Sequence, residues 1–210
     1  MTTRDRKDTK GWAAEKLVHA VLVRYELARV IHNSMADADD PTIGISMHGQ
    51  EIRIPLPDFE VSMPRGLLSG RFQPHTYFVE VKQKTYFGYY EHWEEPTTGI
   101  DNSRLENYYQ FAEEHEREVR LWFVHTFHRC ERPDRTLFAH RDGVPGIYEA
   151  DVRTLYHRRF VWQGMAYWCI RGDTFAFTNS MAELREAPDT KQWAAALRTY
   201  AERDATIKPY

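Results

Sequence analysis

The chain contains few cysteines, and their spacing excludes several classes of protein. Only Cys130 and Cys169 occur among its 210 residues, far apart and without the CxxC spacing of a zinc or redox site. So few cysteines exclude a disulfide-rich scaffold and are typical of a reducing compartment. A disulfide between the two stays open, with no support from their spacing.

The chain also lacks a long apolar segment and a surplus of positive charge. No stretch is long and apolar enough to cross a bilayer, and the first ten residues are polar and charged, unlike a secretion signal. We therefore expect a cytoplasmic protein. The 28 Lys and Arg residues are balanced by 31 Asp and Glu residues, so any nucleic-acid site must be a local basic surface.

The composition is that of an ordinary globular protein. A length of 210 residues suffices for a sizeable core, and 42% of the residues are hydrophobic. We expect residues 1–210 to form one domain, with a core at about 12–127. A β-hairpin and a helix within about 128–210 are expected to extend that core.

An amphipathic helix is predicted from about Trp12 to Ala28. Apolar residues recur there at steps of three and four, namely Ala14, Leu17, Val18, Val21, Leu22 and Tyr25. Glu15 falls at the edge of this stripe, from which its carboxylate can reach a site beside the core. A solvated residue on the flank of the helix would show the same placement.

A first candidate site acid follows a predicted hairpin. The hairpin runs from Ile43 to Leu56, and strand character continues through Pro57. Alternation predicts that Asp58 closes the apolar row of Ile52, Ile54 and Leu56. Prolines cannot donate to a sheet ladder, so we expect this strand to be bent or at an edge near Pro55 and Pro57. A turn aspartate after proline would explain the same residues.

A second acid lies within a strand-like stretch from Tyr77 to Lys84. Alternation places Glu80 and Lys82 side by side on one face of this strand, with Val79 and Val81 on the other. A solvated row of Glu and Lys would produce the same pattern without any chemistry.

The combination is more specific than its parts. Pro57-Asp58 precedes Glu80-Val81-Lys82, with Glu15 on a helix before both. Two converging carboxylates can hold a divalent cation that activates water, and a neighbouring ammonium can position that water. In order and spacing these residues resemble the PD-(D/E)XK nuclease superfamily, which includes many restriction endonucleases and Holliday junction resolvases.

The resemblance covers about Trp12 to Phe127 and implies an α/β fold with an α-β-β-β-α-β core and a mixed central sheet. A helix predicted from Asp101 to about Glu116 and a strand from Val119 to Phe127 complete that order. The resemblance further implies the site roles: Asp58, Glu80 and the Val81 carbonyl as ligands of Mg²⁺ or Mn²⁺, Lys82 beside the attacking water, and Glu15 as an additional acid.

Residues around this motif are candidates for binding substrate. They are Arg65, Arg71, Lys84, Tyr86 and Gln110. The segment from Thr85 to Pro96 is also rich in aromatic residues that could stack on splayed bases or simply pack against the rest of the protein. A basic group from Arg153 to Arg159 is either a phosphate-contacting surface or an ordinary solvated helix face.

Together these patterns predict a Mg²⁺- or Mn²⁺-dependent nuclease that hydrolyses DNA. The alternative is a nuclease-like fold without turnover, in which the acids and the lysine form a structural salt-bridged cluster and the protein serves binding or assembly. RNA or a small phosphate substrate also fits the same metal chemistry. A homodimer is expected by analogy with compact nucleases that cut both strands of a duplex.

Overall fold

The structure is a computed structural model. It describes residues 3–26, 29–33, 42–47, 49–63, 75–132, 134, 136–170 and 173–207. The five helices of this part are α1 (Thr3–Glu26), α2 (Asn102–Glu114), α3 (Val152–Arg158), α4 (Met181–Glu186) and α5 (Lys191–Ile207). In these ranges, no helix has the length and apolar character needed to span a membrane.

The same described ranges contain fourteen strands. They are β1 (Arg29–His32), β2 (Thr42–Met47), β3 (Gln50–Pro55), β4 (Phe59–Met63), β5 (His75–Lys84), β6 (Phe87–Tyr90), β7 (Glu95–Asp101), β8 (Glu118–His125), β9 (Arg129–Glu131), β10 (Leu137–Ala139), β11 (Gly146–Asp151), β12 (Phe160–Trp162), β13 (Met165–Cys169) and β14 (Ala176–Ser180). The protein is therefore of the mixed α/β class, as predicted.

The central sheet has six strands in the order β1-β4-β5-β8-β11-β14. Its β5 and β8 are parallel, and the other neighbours are antiparallel. The predicted mixed sheet is therefore confirmed. When the strands of the other sheets are left out, the first elements in chain order are α1, β1, β4, β5, α2 and β8. This is the α-β-β-β-α-β succession expected from the sequence.

Two of the strands predicted for this core lie elsewhere. The hairpin expected from Ile43 to Leu56 exists, but β2 and β3 form a separate two-stranded sheet. The central sheet instead uses β1 and β4, two short segments that carry no long alternating pattern. Pairing between β1 and β4 spans a long stretch of chain, and such pairing is set by tertiary contacts more than by local sequence.

Each face of the central sheet is covered by its own apolar cluster. On one face α1, α4 and α5 pack against Val79, Val81 and Trp122. On the other face α2, α3, the β2–β3 hairpin and a second sheet pack against Phe78, Leu121 and Phe123. The middle of β5, residues 77–81, is buried, so Glu80 is an acid within a buried stretch of a strand.

The second sheet has the order β10-β9-β6-β7-β13-β12. The chain builds it in three excursions from the central sheet: β6–β7, β9–β10 and β12–β13. The aromatic segment after Lys84, whose secondary structure the sequence leaves unassigned, supplies β6 and the start of β7. The predicted C-terminal hairpin is displaced, because β12 pairs with β13 whereas β14 pairs with β11 in the central sheet.

The position predicted for Asp58 at the end of an apolar strand is wrong. The strand β3 ends at Pro55, and Asp58 lies in a bend directly before β4. Since neither Pro55 nor Pro57 can donate a ladder hydrogen bond, the strand stops there. Asn33 fixes the bend, because its side chain donates to the Pro57 carbonyl and its backbone N–H to the Asp58 carbonyl, both at 2.8 Å.

Candidate metal centre

The register between β4 and β5 brings Asp58 next to Glu80. Phe59 lies opposite Val79 in this antiparallel pair, so one step further places Asp58 opposite Glu80 on the same face. The Asp58 Oδ2 atom accepts a hydrogen bond from the Val81 backbone N–H at 2.7 Å. Two acids separated by 21 residues are thereby held on adjoining strands.

Glu80 and Lys82 form an ion pair on one face of β5. Both side chains are mostly buried, with exposed fractions of 7% for Glu80 and 16% for Lys82. The Tyr108 side chain of α2 covers this pair: its hydroxyl hydrogen-bonds to Glu80, and Lys82 Nζ lies 5.8 Å from its ring centroid. Asp101 caps the start of α2, since its side chain accepts a hydrogen bond from the backbone N–H of Ser103 at 2.9 Å.

Glu15 approaches the site from α1. Its Oε2 atom lies 2.8 Å from His32 Nε2 at the end of β1. The His32 ring stacks on Phe59, with 4.7 Å between the ring centroids, and Phe59 follows Asp58 in the chain. Glu15 and His32 therefore lie on the flank of the bend that carries Asp58.

The electrostatics of Asp58 show how closely these acids are gathered. Burial raises the pKa of the Asp58 carboxyl well above its usual value, and the charges of Glu80 and then Glu15 raise it further. The hydrogen bond from Val81 and the charge of Lys82 act in the opposite direction but do not reverse the shift. The buried Asp58 carboxyl therefore feels the charges of two further acids, of which Glu80 is paired with Lys82 and Glu15 contacts His32.

The same negative charge reaches Tyr108. Burial raises the pKa of its hydroxyl, and the charge of Glu80, the hydrogen bond to Glu80 and the charge of Asp58 add to that effect. The Tyr108 hydroxyl therefore stays protonated and acts as a hydrogen-bond donor toward Glu80.

The donor set fits a hard divalent cation. Asp58, Glu80 and the Val81 carbonyl would supply oxygen atoms, which Mg²⁺ and Mn²⁺ prefer. Burial raises the pKa of Asp58 first, and the charges of Glu80 and Glu15 raise it further; a cation bound at these oxygens would favour the charged carboxylate. Within the described ranges, however, no three His, Cys, Asp or Glu side chains are arranged as a metal site. A cation at this position would therefore depend on two carboxylates plus backbone and water oxygens.

Of the other residues predicted to bind substrate, the structure describes Lys84, Tyr86 and Gln110. Lys84 follows Lys82 on β5, and burial together with the charge of Lys82 lowers its pKa to about 8. Tyr86 packs edge-on against Phe127, with 6.1 Å between ring centroids. Gln110 donates to Glu114 one turn further along α2 at 2.7 Å. Arg65 and Arg71 lie outside the described residues.

Gln110 is directed away from the carboxylates by its partner. The Glu114 carboxylate that it contacts also accepts the backbone N–H of Ser46 at 2.9 Å. This contact lies where α2 meets the β2–β3 hairpin. The structure thus places Gln110 at a hairpin contact rather than beside Asp58 and Glu80.

The basic group on α3 is paired with polar and acidic partners. Arg153 contacts Glu113, Arg158 contacts Asp173, and Arg159 donates to Asn102 at 3.0 Å. Arginines neutralised in this way have less positive charge to offer a phosphate backbone. The observation favours an ordinary helix face over a phosphate-contacting surface.

Sequence reasoning missed three residues around the site, namely His32, Asn33 and Tyr108. His32 ends the short strand β1 and Asn33 follows it; this strand was not predicted. Tyr108 carries a signal that was overlooked: it occupies the apolar stripe of α2, and a buried tyrosine needs a partner for its hydroxyl. That partner is Glu80.

Comparisons with known proteins add little to this geometry. No family model matches the chain, and no curated protein matches it. One solved structure to which the chain is similar is a Holliday junction resolvase of the archaeal hyperthermophile Archaeoglobus fulgidus, at a TM-score of 0.35 and 14% identity over 72% of this chain and 83% of that chain. A likeness this weak carries no argument about function, which must rest on the side chains themselves.

Proposed function

We propose that this protein is a metal-dependent nuclease of the PD-(D/E)XK type that hydrolyses DNA phosphodiester bonds. The observation that carries the proposal is the hydrogen bond from the Val81 N–H to Asp58 Oδ2 at 2.7 Å. It supports a site in which carboxylates from two adjoining strands converge beside a lysine. Ordinary packing gives no reason to crowd buried like charges in this way.

In this proposal Asp58, Glu80 and the Val81 carbonyl hold Mg²⁺ or Mn²⁺. When bound, such a cation binds phosphate oxygens, lowers the pKa of water and stabilises the charge of the transition state. Lys82 then orients the attacking water from the same face of β5. Its ammonium pairs with Glu80 in the structure, which holds Lys82 beside a carboxylate that would bind the cation.

The remaining acids and hydroxyls position this set. Glu15 adds negative charge beside Asp58, and His32 holds Glu15 in place at 2.8 Å. Tyr108 fixes the Glu80 carboxylate by donating its hydroxyl proton. The neighbouring Phe59 and Val79 exclude water from one side of the site, which strengthens every charge interaction within it.

A second candidate is a binding or assembly module without turnover. The ion pair between Glu80 and Lys82 favours it, because a paired and buried lysine is already satisfied without any metal. In such a module the fold would be equally stable with and without divalent cations.

The decisive experiment is cleavage of supercoiled, linear, single-stranded and branched DNA with Mg²⁺ or Mn²⁺. Asp58→Asn and Lys82→Met are expected to lower cleavage by about 100-fold or more, the range of a lost catalytic group. Glu60→Gln is the matched control, since Glu60 lies on the same strand face two residues beyond Asp58 but opposite Phe78. Equal activity of Asp58→Asn and Glu60→Gln on every substrate would contradict the proposal.

The proposed setting is the cytoplasm. Cys130 and Cys169 are both free thiols, which suits a reducing compartment. A homodimer is proposed only because two sites are needed to cut both strands of a duplex. Sedimentation analysis with and without DNA tests that association.

A further inference from the structure

A cavity of about 280 Å³ lies on the second sheet, apart from the carboxylates. Six aromatic side chains line it: Tyr89, Tyr90, Trp93, Phe160, Trp162 and Tyr167. Its volume is just below the range of about 300–1,000 Å³ that is usual for small-ligand sites. We infer that this cavity binds one unpaired nucleobase of the DNA substrate, an inference that rests on the proposed nuclease function.

The aromatic side chains form a connected wall. Tyr90 lies 4.9 Å from Trp93 and 5.4 Å from Phe160, and Trp93 lies 5.3 Å from Phe160, all between ring centroids. Phe160 and Trp162 also remain well exposed, at 36% and 42%. Large rings in solvent at the mouth of a cavity offer flat surfaces on which a base can stack.

Polar groups in the cavity match the edge of a base better than a charged ligand. The lining includes Thr97, Gln163, Glu131 and Arg132. Glu131 and Arg132 carry opposite charges, so the lining of the cavity has no net charge. The Gln163 amide can both donate and accept hydrogen bonds. The Arg132 guanidinium already lies 6.0 Å from the Tyr89 ring centroid, which makes this ring less suited to a quaternary ammonium, the usual cation of aromatic cages. A planar, neutral ring with a hydrogen-bonding edge fits all of these groups.

The walls are held in place before any ligand binds. The β6–β7 turn is closed by hydrogen bonds from the Trp93 and Glu94 backbone N–H groups to the Tyr90 carbonyl, at 3.0 and 3.1 Å. The β12–β13 turn is tied to α2 by the Asn102 N–H, which donates to the Gly164 carbonyl at 2.9 Å. A preformed cavity avoids the entropy cost of ordering its walls on binding.

The turn that carries Gln163 is strained for that residue. Gln163 has φ of 48° and Gly164 has φ of 76°, the left-handed pair of a two-residue hairpin in which Asn or Asp normally precedes Gly. Glutamine has no local advantage in this conformation. Its presence at the cavity is therefore better explained by its amide than by the turn.

The position along the chain connects this cavity to the proposed site. β5 runs into β6 with only Thr85 and Tyr86 between them. From Lys82 to Tyr89 the chain spans seven residues, so their Cα atoms are at most about 25 Å apart. A nucleotide bound here would thus belong to the same DNA strand as the scissile phosphate or to its partner strand. The adjoining pocket contains Glu91 and Asp134 together with Arg132 and His92, and Arg132 is paired with Glu91 at 3.9 Å. This mixture of charges offers a phosphate no strongly positive site, so we expect the base to enter while the backbone stays outside.

The test measures binding of a short labelled single-stranded oligodeoxynucleotide in EDTA, where no cleavage occurs. Trp162→Ala is expected to weaken binding by about five- to thirtyfold, as the loss of one stacking partner predicts. Trp162→Phe should keep most of the affinity, because a ring remains. Phe177→Ala is the matched control, since Phe177 is equally exposed, at 47%, but lies on the edge of the central sheet.

An oligonucleotide with abasic positions separates base stacking from backbone contact. The difference between wild type and Trp162→Ala should vanish on this strand. A nucleoside should compete with the labelled strand, whereas tetramethylammonium should not. The inference is overturned if Trp162→Ala binds like wild type, if its defect persists on the abasic strand, or if tetramethylammonium is the better competitor.

Cleavage assays on the same variants keep the two proposals apart. If wild type cleaves DNA and Asp58→Asn does not, while Trp162→Ala binds normally, only the base-binding inference fails. If wild type neither cleaves nor binds any DNA, the proposed function fails and this inference fails with it.

Discussion

Asp58 is a residue whose charge is disfavoured by folding. Its pKa is raised well above the ordinary value of 3.8, first by burial and then by Glu80 and Glu15. An acid with a raised pKa holds its proton more tightly in the folded state than in the unfolded state. Folding stability therefore decreases as pH rises from the unfolded pKa toward the folded one, and stays reduced above it.

Asp58→Asn should remove the free-energy cost of holding a charged carboxylate at this buried position in the absence of metal. The asparagine oxygen can still accept the Val81 N–H, so the bend is kept. We expect the melting temperature in EDTA at pH 7 to rise by about 2 to 4 °C, the shift of roughly 1 kcal/mol in a protein of this size. The gain should shrink as pH falls toward 4. Thermal unfolding across pH measures it, and a variant less stable than wild type at pH 7 would contradict the electrostatic account.

Lys82→Met should have the opposite effect on stability. The substitution leaves the Glu80 carboxylate buried without its cation, which costs about 3 kcal/mol when a buried pair is broken from one side. The double variant Lys82→Met with Glu80→Gln should recover most of this loss, because no charge then remains unpaired. Chemical denaturation of the single and double variants provides the measurement, and additive losses would show that the pair contributes nothing.

At the scale of secondary structure, two glycines test whether helix propensity or tertiary packing determines the effect of adding a methyl group on stability. Gly11 lies inside α1 with no heavy atom within 4 Å of an added Cβ. Gly11→Ala should therefore stabilise the protein by about 1 kcal/mol through helix propensity. At Gly146 an added Cβ would lie 2.4 Å from the Asn179 carbonyl oxygen, so Gly146→Ala should push β14 from β11.

The expected loss for Gly146→Ala is about 1 to 3 kcal/mol, the usual cost of overpacking. Denaturant melts of both variants give the comparison, since each serves as the other's control for a glycine-to-alanine change. Equal effects of the two substitutions would mean that backbone entropy alone matters at both positions.

The same contrast explains how much of the fold could be predicted from the sequence. Local signals identified α1, α2 and β5, because periodicity and the Asp101 cap act within a few residues. The sequence does not predict that β1 and β4 belong to the central sheet. Their pairing joins His32 to Phe59 across 26 intervening residues. The sequence predicts Asp58 at the end of the strand that becomes β3, whereas the structure places it in the bend before β4. Alternation alone does not reveal that the strand ends at Pro55, and the role of Asp58 in a metal site stays a prediction.

The candidate site was partly predictable for a similar reason. Glu80 and Lys82 share a strand, so alternation alone places them on one face, and the structure has them there. Tyr108 and His32 reach the site from α2 and β1, and only the tertiary fold brings these elements together. Their roles in catalysis stay predictions.

At the scale of the whole molecule, the proposed metal site predicts that stability depends on divalent cations. A cation that binds only the folded state stabilises it by mass action, by about 2.7 kcal/mol at 100 times its Kd. Saturating Mg²⁺ or Mn²⁺ should then raise the melting temperature of wild type by about 5 to 10 °C.

Asp58→Asn should lose most of this metal response, whereas Glu60→Gln should retain it. Calorimetry in EDTA and in each metal distinguishes the two candidate functions. If Mg²⁺ and Mn²⁺ leave the melting temperature of wild type unchanged, the binding or assembly module without turnover is favoured.

The three excursions that build the second sheet also affect how the molecule unfolds. The chain returns to the central sheet after each excursion. The strands of the two sheets are therefore interleaved along the chain, and a single cut in the chain could not divide one sheet from the other. Amide hydrogens in β7 and in β8 should therefore exchange with solvent through the same global opening. The cavity and the acids would then be lost together, and a partly unfolded molecule would retain neither.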